Sequence, residues 1–222
     1  MSEVKVNKLS PRSGTTVTLG DSGDTFSIPS GATLSNSGST TFAGNLSVDG
    51  GTIKLDGNYP TGSNNVAMGD NALNSVASDG NSNTVMGNNA GTAITTGDLN
   101  VGIGAGALLD TTTASNNTAV GGIALCANTT GACNVAVGAC ALLNNTTADD
   151  NTAVGMNALC LNTTGCRNTA IGHNSMDVNT TGEFNTALGR SSLSGNTTAD
   201  NNTAVGYHSM LANTTGTENT AV

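Results

Sequence analysis

Few side chains in this sequence could carry chemistry, and their spacing limits what kind. His173 and His208 are its two histidines. Neither stands in a motif with a Ser or Cys nucleophile and a partner carboxylate, so catalysis by them is not expected and they read as exposed residues flanking turns. There is no phosphate-cradling glycine loop and no pair of carboxylates in an apolar setting. The five cysteines are Cys126, Cys133, Cys140, Cys160 and Cys166. No C-x-x-C pair is present to form a metal knuckle. Reduced thiols in a protein made in a cytosol are the expectation. No catalytic, metal-binding or cofactor-binding residue is predicted.

Asparagine, threonine and acidic residues follow a different rule: they recur. The run Asn117-Thr-Ala-Val-Gly-Gly-Ile-Ala-Leu-Cys-Ala-Asn-Thr-Thr-Gly-Ala-Cys133 starts again at Asn134, Asn151, Asn168, Asn185, Asn202 and Asn219, each start 17 residues after the last (134 − 117 = 17). Asn100 and Asn83 open poorer copies at the same step, and Asn65 opens one that is a residue longer (83 − 65 = 18). A short fixed period is the signature of a stacked repeat architecture. Positions below are counted from the opening Asn of each unit.

Each unit looks like two short strands and two turns, one lap of a β-solenoid or β-roll. The first strand covers Asn117-Thr-Ala-Val120 and the second centres on Ala124-Leu125, with Gly121 and Asn128-Thr-Thr-Gly131 supplying the turns. The larger apolar residue of each strand is expected in the core. The predicted core is therefore Val120, Leu125, Val137, Leu142, Val154, Leu159, Ile171, Met176, Leu188, Leu193, Val205 and Met210. At one lap per unit, Cys126 and Cys160 lie two laps and about 9–10 Å apart, beyond disulfide reach.

Two Asn columns accompany that core. Asn117, Asn134, Asn151, Asn168, Asn185 and Asn202 open their units, while Asn128, Asn145, Asn162, Asn179, Asn196 and Asn213 stand at position twelve. Asn-x-Thr is a glycosylation signal in secreted proteins. Identical amides stacked coil on coil instead form ladders that hold turns, and this is the favoured reading. Acidic residues at positions sixteen and seventeen include Glu183 and Asp200 in consecutive units, where they could share a cation. A solvated rim is preferred, because no Gly-Gly-x-Gly-x-Asp calcium repeat occurs. The Thr pairs at positions thirteen and fourteen suggest an ice-binding array only weakly, since adjacent strand residues point to opposite faces.

Composition closes off other classes. Aromatics are 2%, charged residues 9%, Trp is absent and Gly numbers 30, so a thick globular core is excluded. A net charge of −9 with six basic residues leaves no electrostatic footprint for nucleic acid or an anionic membrane. No stretch is long and apolar enough to span a bilayer, and Met1-Ser-Glu-Val-Lys-Val6 leads into no apolar run, so no export signal is expected. Nine units from Asn65 to Asn202 at one strand spacing each would extend roughly 43 Å.

Residues 1–58 do not share the repeat. They alternate short β segments with Gly, Asp, Ser and Pro turns and carry Lys5, Lys8, Arg12 and Lys54. They are expected to form a capping and anchoring module, joined by a linker at 59–64 to the array at 65–222. Within a unit, Ala153 stands behind Val154 and Ala158 behind Leu159. Small groups on a second face would suit close approach of another chain, and three copies around an axis is the simplest ring that buries that face in each.

Asn-Thr-Ala-Val-Gly, with Asn168-Thr-Ala-Ile-Gly172 and Asn185-Thr-Ala-Leu-Gly189, resembles the head repeat of trimeric autotransporter (YadA-like) adhesins. The complete unit is similar to repeats in bacteriophage tail fibres. Val6 to Gly31 resembles the opening of fibre and structural proteins in phages of marine bacteria and cyanobacteria. The resemblance implies a homotrimer of parallel β-rolls. The autotransporter head unit is shorter, and that family carries an export signal and membrane anchor that are not seen here. A non-enzymatic virion fibre is therefore expected, held to other virion proteins by residues 1–58 and extending a stiff shaft toward the host surface. Direct adhesion through Arg190, Tyr207 and His208 is the alternative.

Overall fold

The computed structural model describes residues 62–222. The expected module at 1–58 and the first residues of the linker lie outside them. The described chain is an all-β solenoid of stacked coils. Ten parallel strands, from Val66–Met68 to Thr220–Ala221, form one sheet in sequence order. Each pairs in register with the strand one unit on, as in Thr152↔Thr169, Ala153↔Ala170 and Val154↔Ile171.

Each complete coil has one strand of three residues, not two. The expected second strand at Ala124-Leu125 is a turn, with Ile123 at φ 52° and Leu125 at φ 50°. Alternating apolar residues imitate a strand there, yet the chain must bend tightly around a narrow interior. Left-handed residues at positions seven, nine and seventeen, with glycine at five, make those bends. At position five the glycine is required twice over: Gly155 has φ +131°, and a Cβ there would stand 2.6 Å from the backbone carbonyl carbon of Gly172.

Hydrogen bonding between coils continues outside the strands. Leu159 N–H donates to Ser175 O at 3.0 Å, Leu161 to Asp177 O at 3.0 Å and Thr163 to Thr180 O at 2.9 Å. Backbone groups that a loop would leave to water thus find partners in the neighbouring coil. The longer Asn65 coil takes its extra residue at Ser78-Asp79. Ala77 still pairs with Thr95 O at 2.7 Å, and Asn65 Nδ2 reaches Gly80 O across 15 residues where later coils span 14.

The interior differs from expectation in one respect. The position-nine residues Leu125, Leu142, Leu159, Met176 and Leu193 are fully buried, and Met210 packs against their cluster. The position-four residues are not core: Val137 is 36% exposed, Ile171 38% and Leu188 45%, and Val120, Val154 and Val205 are half-buried. Ala119 and its counterparts point inward instead. The coil is too narrow to hold a branched side chain opposite each leucine, so the strand turns its small residue in. Ala153 and Ala158 are therefore fully buried inside their own coil and offer no face to a second chain.

The first coils fill the space differently. Gly91 replaces the position-nine leucine, while Val85 and Ile94 enlarge positions three and twelve and pack in a separate apolar cluster with Leu73 and Val76.

Candidate interaction surface

Two columns of buried amides lie beside the apolar interior. At position one, Asn151 N–H donates to Asn134 Oδ1 at 3.0 Å, Asn151 Oδ1 accepts from Asn168 N–H at 2.9 Å, and Asn151 Nδ2 donates to Gly165 O at 2.9 Å. One side chain thus closes its own coil and ties it to the next. The N–H to Oδ1 bonds run on through Asn117, Asn134, Asn168, Asn185 and Asn202. The coil-closing Nδ2 bond recurs at Asn117, Asn134, Asn168 and Asn185, while Asn202 Nδ2 donates to Asn185 Oδ1 and Asp200 O instead.

At position twelve, Asn162 Nδ2 donates to Asn145 Oδ1 at 3.0 Å and to Gly165 O at 2.9 Å. This ladder links Asn128, Asn145, Asn162, Asn179, Asn196 and Asn213. Both amides converge on one carbonyl, which suits the two lone pairs of its oxygen. Below Asn128 the position is held by Thr111, Ile94 and Val76, and the buried Thr111 Oγ1 has no hydrogen-bond partner.

The outer rim is tied down as well. Asp200 Oδ1 accepts from the backbone N–H of Glu183 at 2.7 Å, and Asp149 Oδ1 from that of Ala132 at 2.7 Å. These carboxylates cap backbone donors of the preceding coil. Where a cation shared by Glu183 and Asp200 was weighed, Asp200 Oδ1 is engaged by a backbone donor, and among the described residues no group of three or more metal-ligating side chains occurs. Position-thirteen hydroxyls are also engaged, as with Thr163 Oγ1 donating to Thr180 O at 3.0 Å.

The cysteines are all free thiols. Burial pushes the Cys160 thiol up from its ordinary value, with the neighbouring Cys140 and Asp177 adding to the effect. Burial and then Asp110 raise Cys126 in the same direction. Neither change favours a thiolate, so neither suits nucleophilic work.

What remains for interaction is the outward side of the sheet. Positions two and four of each complete unit share it, giving a ribbon two side chains wide with Thr or Val along one edge and Val, Ile, Leu or Met along the other. Met68, Met86, Ile103, Val137, Ile171 and Leu188 are its most exposed aliphatic members. Its aliphatic edge is a row of exposed apolar side chains, one per coil. Size alone places the large position-four residues inside, yet Thr at position two, on the same face, already signals an outward side.

Along its margins stand the few charged and aromatic groups. Arg167 lies 3.8 Å from Asp150 and 5.3 Å over the Phe184 ring. Arg190 lies 5.7 Å over the Tyr207 ring, and Tyr207 stacks on His208 at 3.8 Å. His208 is exposed, as expected, whereas His173 is half-buried and its Nδ1 has no partner. No family model matches this chain, and no curated protein or solved structure matches it either.

Proposed function

We propose that the chain is a structural fibre protein of a phage virion, in which three copies pack side by side through the outward ribbon and form a stiff shaft. The observation that carries this reading is the unbroken apolar ribbon along a rod whose coils are bonded to each other at almost every turn. Exposed apolar edges from Met68 to Leu188 on one straight face need a long partner with the same period, and a second copy of the chain has it. A ribbon only two side chains wide converges well on a three-fold axis, where each copy contributes a narrow wedge. The trimer therefore rests on position four, not on the alanines.

In this reading residues 1–58 attach the shaft to other virion proteins, and the array carries no chemistry of its own. The repeat's likeness to phage fibre and autotransporter head units supports the same role. Adhesion to a host surface is the second reading, favoured by the concentration of Arg, His and aromatic rings near Arg190.

Sedimentation of the full chain tests the assembly: an elongated particle of three 21.7 kDa chains is expected. The double substitution Ile171→Glu with Leu188→Glu should yield a folded monomer. A wild-type monomer at micromolar concentration refutes the shaft. Immunogold labelling of phage particles carrying the gene tests the location, with label on fibres expected and label only on free protein refuting it.

A further inference from the structure

The cationic and aromatic side chains of the described array occupy only its last coils. Over residues 62–222 the only Arg, His, Phe and Tyr are Arg167, His173, Phe184, Arg190, Tyr207 and His208. Ten Asp and Glu lie in the same span against two Arg, a net of 2 − 10 = −8. The six residues fall into two columns. On one margin of the ribbon Arg167 is engaged by Asp150 at 3.8 Å. On the other, His173, Arg190 and Tyr207 hold position six of three consecutive coils, followed by His208.

Arg190 differs from Arg167 in having no ion pair among the described residues. Its guanidinium is held over the Tyr207 ring at 5.7 Å, and that ring is stacked on His208 at an interplanar angle of 19°. The stack costs side-chain freedom on a surface where Tyr207 is 64% exposed. A guanidinium so restrained presents a planar fork of donors, the geometry that accepts a carboxylate in two parallel hydrogen bonds. The phenol and imidazole beside it add hydrogen-bonding groups of the kind that bind hydroxyls.

We propose that Arg190, Tyr207 and His208, with His173 in the coil before, form a recognition patch for a carboxylate-bearing sugar. A uniformly charged polyanion does not fit, because it would meet the acidic remainder of the rod. A single acidic sugar at the end of a neutral glycan does fit. At physiological salt the screening length is about 8 Å, so Arg190 acts on a carboxylate at contact while distant acids do not. This patch rests on the adhesive reading and not on the trimeric shaft, so failure of the sugar titration and failure of the sedimentation test are separate outcomes.

The test titrates the full chain with a glucuronate-terminated trisaccharide, its neutral glucose-terminated counterpart and acetate, followed by NMR or calorimetry. Saturable binding of the uronate with a dissociation constant of order 1 mM is expected, with the neutral sugar and acetate each at least about tenfold weaker. Arg190→Gln and Tyr207→Ala should each weaken uronate binding about tenfold or more, with melting unchanged, and Arg167→Gln should leave it intact. Absence of saturable uronate binding overturns the proposal. So does equal binding of the neutral sugar, unchanged affinity in Arg190→Gln, or acetate binding as well as the uronate, which would leave an anion site only.

Discussion

Asn151→Ala is the sharpest probe of how the coils hold together. The substitution removes the Oδ1 that accepts from Asn168 N–H at 2.9 Å and the Nδ2 that donates to Gly165 O at 2.9 Å. Gly165 O keeps a second donor, Asn162 Nδ2 at 2.9 Å, so it stays satisfied. Asn168 is fully buried, and its N–H loses its side-chain acceptor. An orphaned buried donor costs roughly 1–3 kcal/mol, and the space left by the carboxamide adds about 1 kcal/mol. The expected loss is about 2–4 kcal/mol in urea unfolding, against under about 0.5 kcal/mol for the exposed Thr164→Ala control. Because stacked repeats need not unfold in one step, hydrogen exchange at the Asn168 amide gives the local readout. Its protection should fall in Asn151→Ala. A variant with wild-type stability and a still protected Asn168 amide would mean that the column is an ornament of packing, not its cause.

Three other outcomes follow from the same geometry. Gly155→Ala would place a Cβ 2.6 Å from the Gly172 carbonyl carbon at φ +131°, and should destabilise the array by at least about 2 kcal/mol, while Gly122→Ala, with nothing within 4 Å, should be silent in the same melts. Ile123→Asn should stabilise by about 1 kcal/mol in urea unfolding, because a β-branched residue at φ 52° is replaced by the type that Asn157 already supplies at φ 58°. The Cys160 thiol, raised first by burial and then by Cys140 and Asp177, should alkylate more slowly at pH 8 than the exposed Cys133. Its contribution to stability is present below the unfolded thiol's ordinary pKa and is lost as pH rises through the folded value, so urea midpoints should fall at alkaline pH and fall less in Cys160→Ser.

The period of the chain was legible because Asn, Gly and Thr recur at fixed steps, and the period alone places Asn151 against Asn168 and Arg190 against Tyr207. The direction of the strand was not. Val154 was expected inside on size, but a coil whose opposite wall is Leu159 leaves room only for Ala153. Nor could the turn at Ala124-Leu125 be seen, since leucine carries no local mark of a left-handed backbone and adopts it at φ 50° only because the stacked coils on either side impose it. The role of Asp200 as a cap on Glu183 N–H likewise depends on a contact 17 residues away. Residues 1–58 stand as a sequence expectation alone.

The extra residue of the Asn65 coil sits at one corner, Ser78-Asp79, and neither amide column nor strand register is displaced by it. Growth or shrinkage of such a rod is thus quantised. Duplication or loss of a whole unit leaves every neighbour bonded as before, whereas a partial unit must be absorbed at a corner or throw Asn out of line with Asn. Recombination between near-identical repeats can therefore reset the reach of the rod in steps of one coil, about 4.8 Å, without touching what lies at either end.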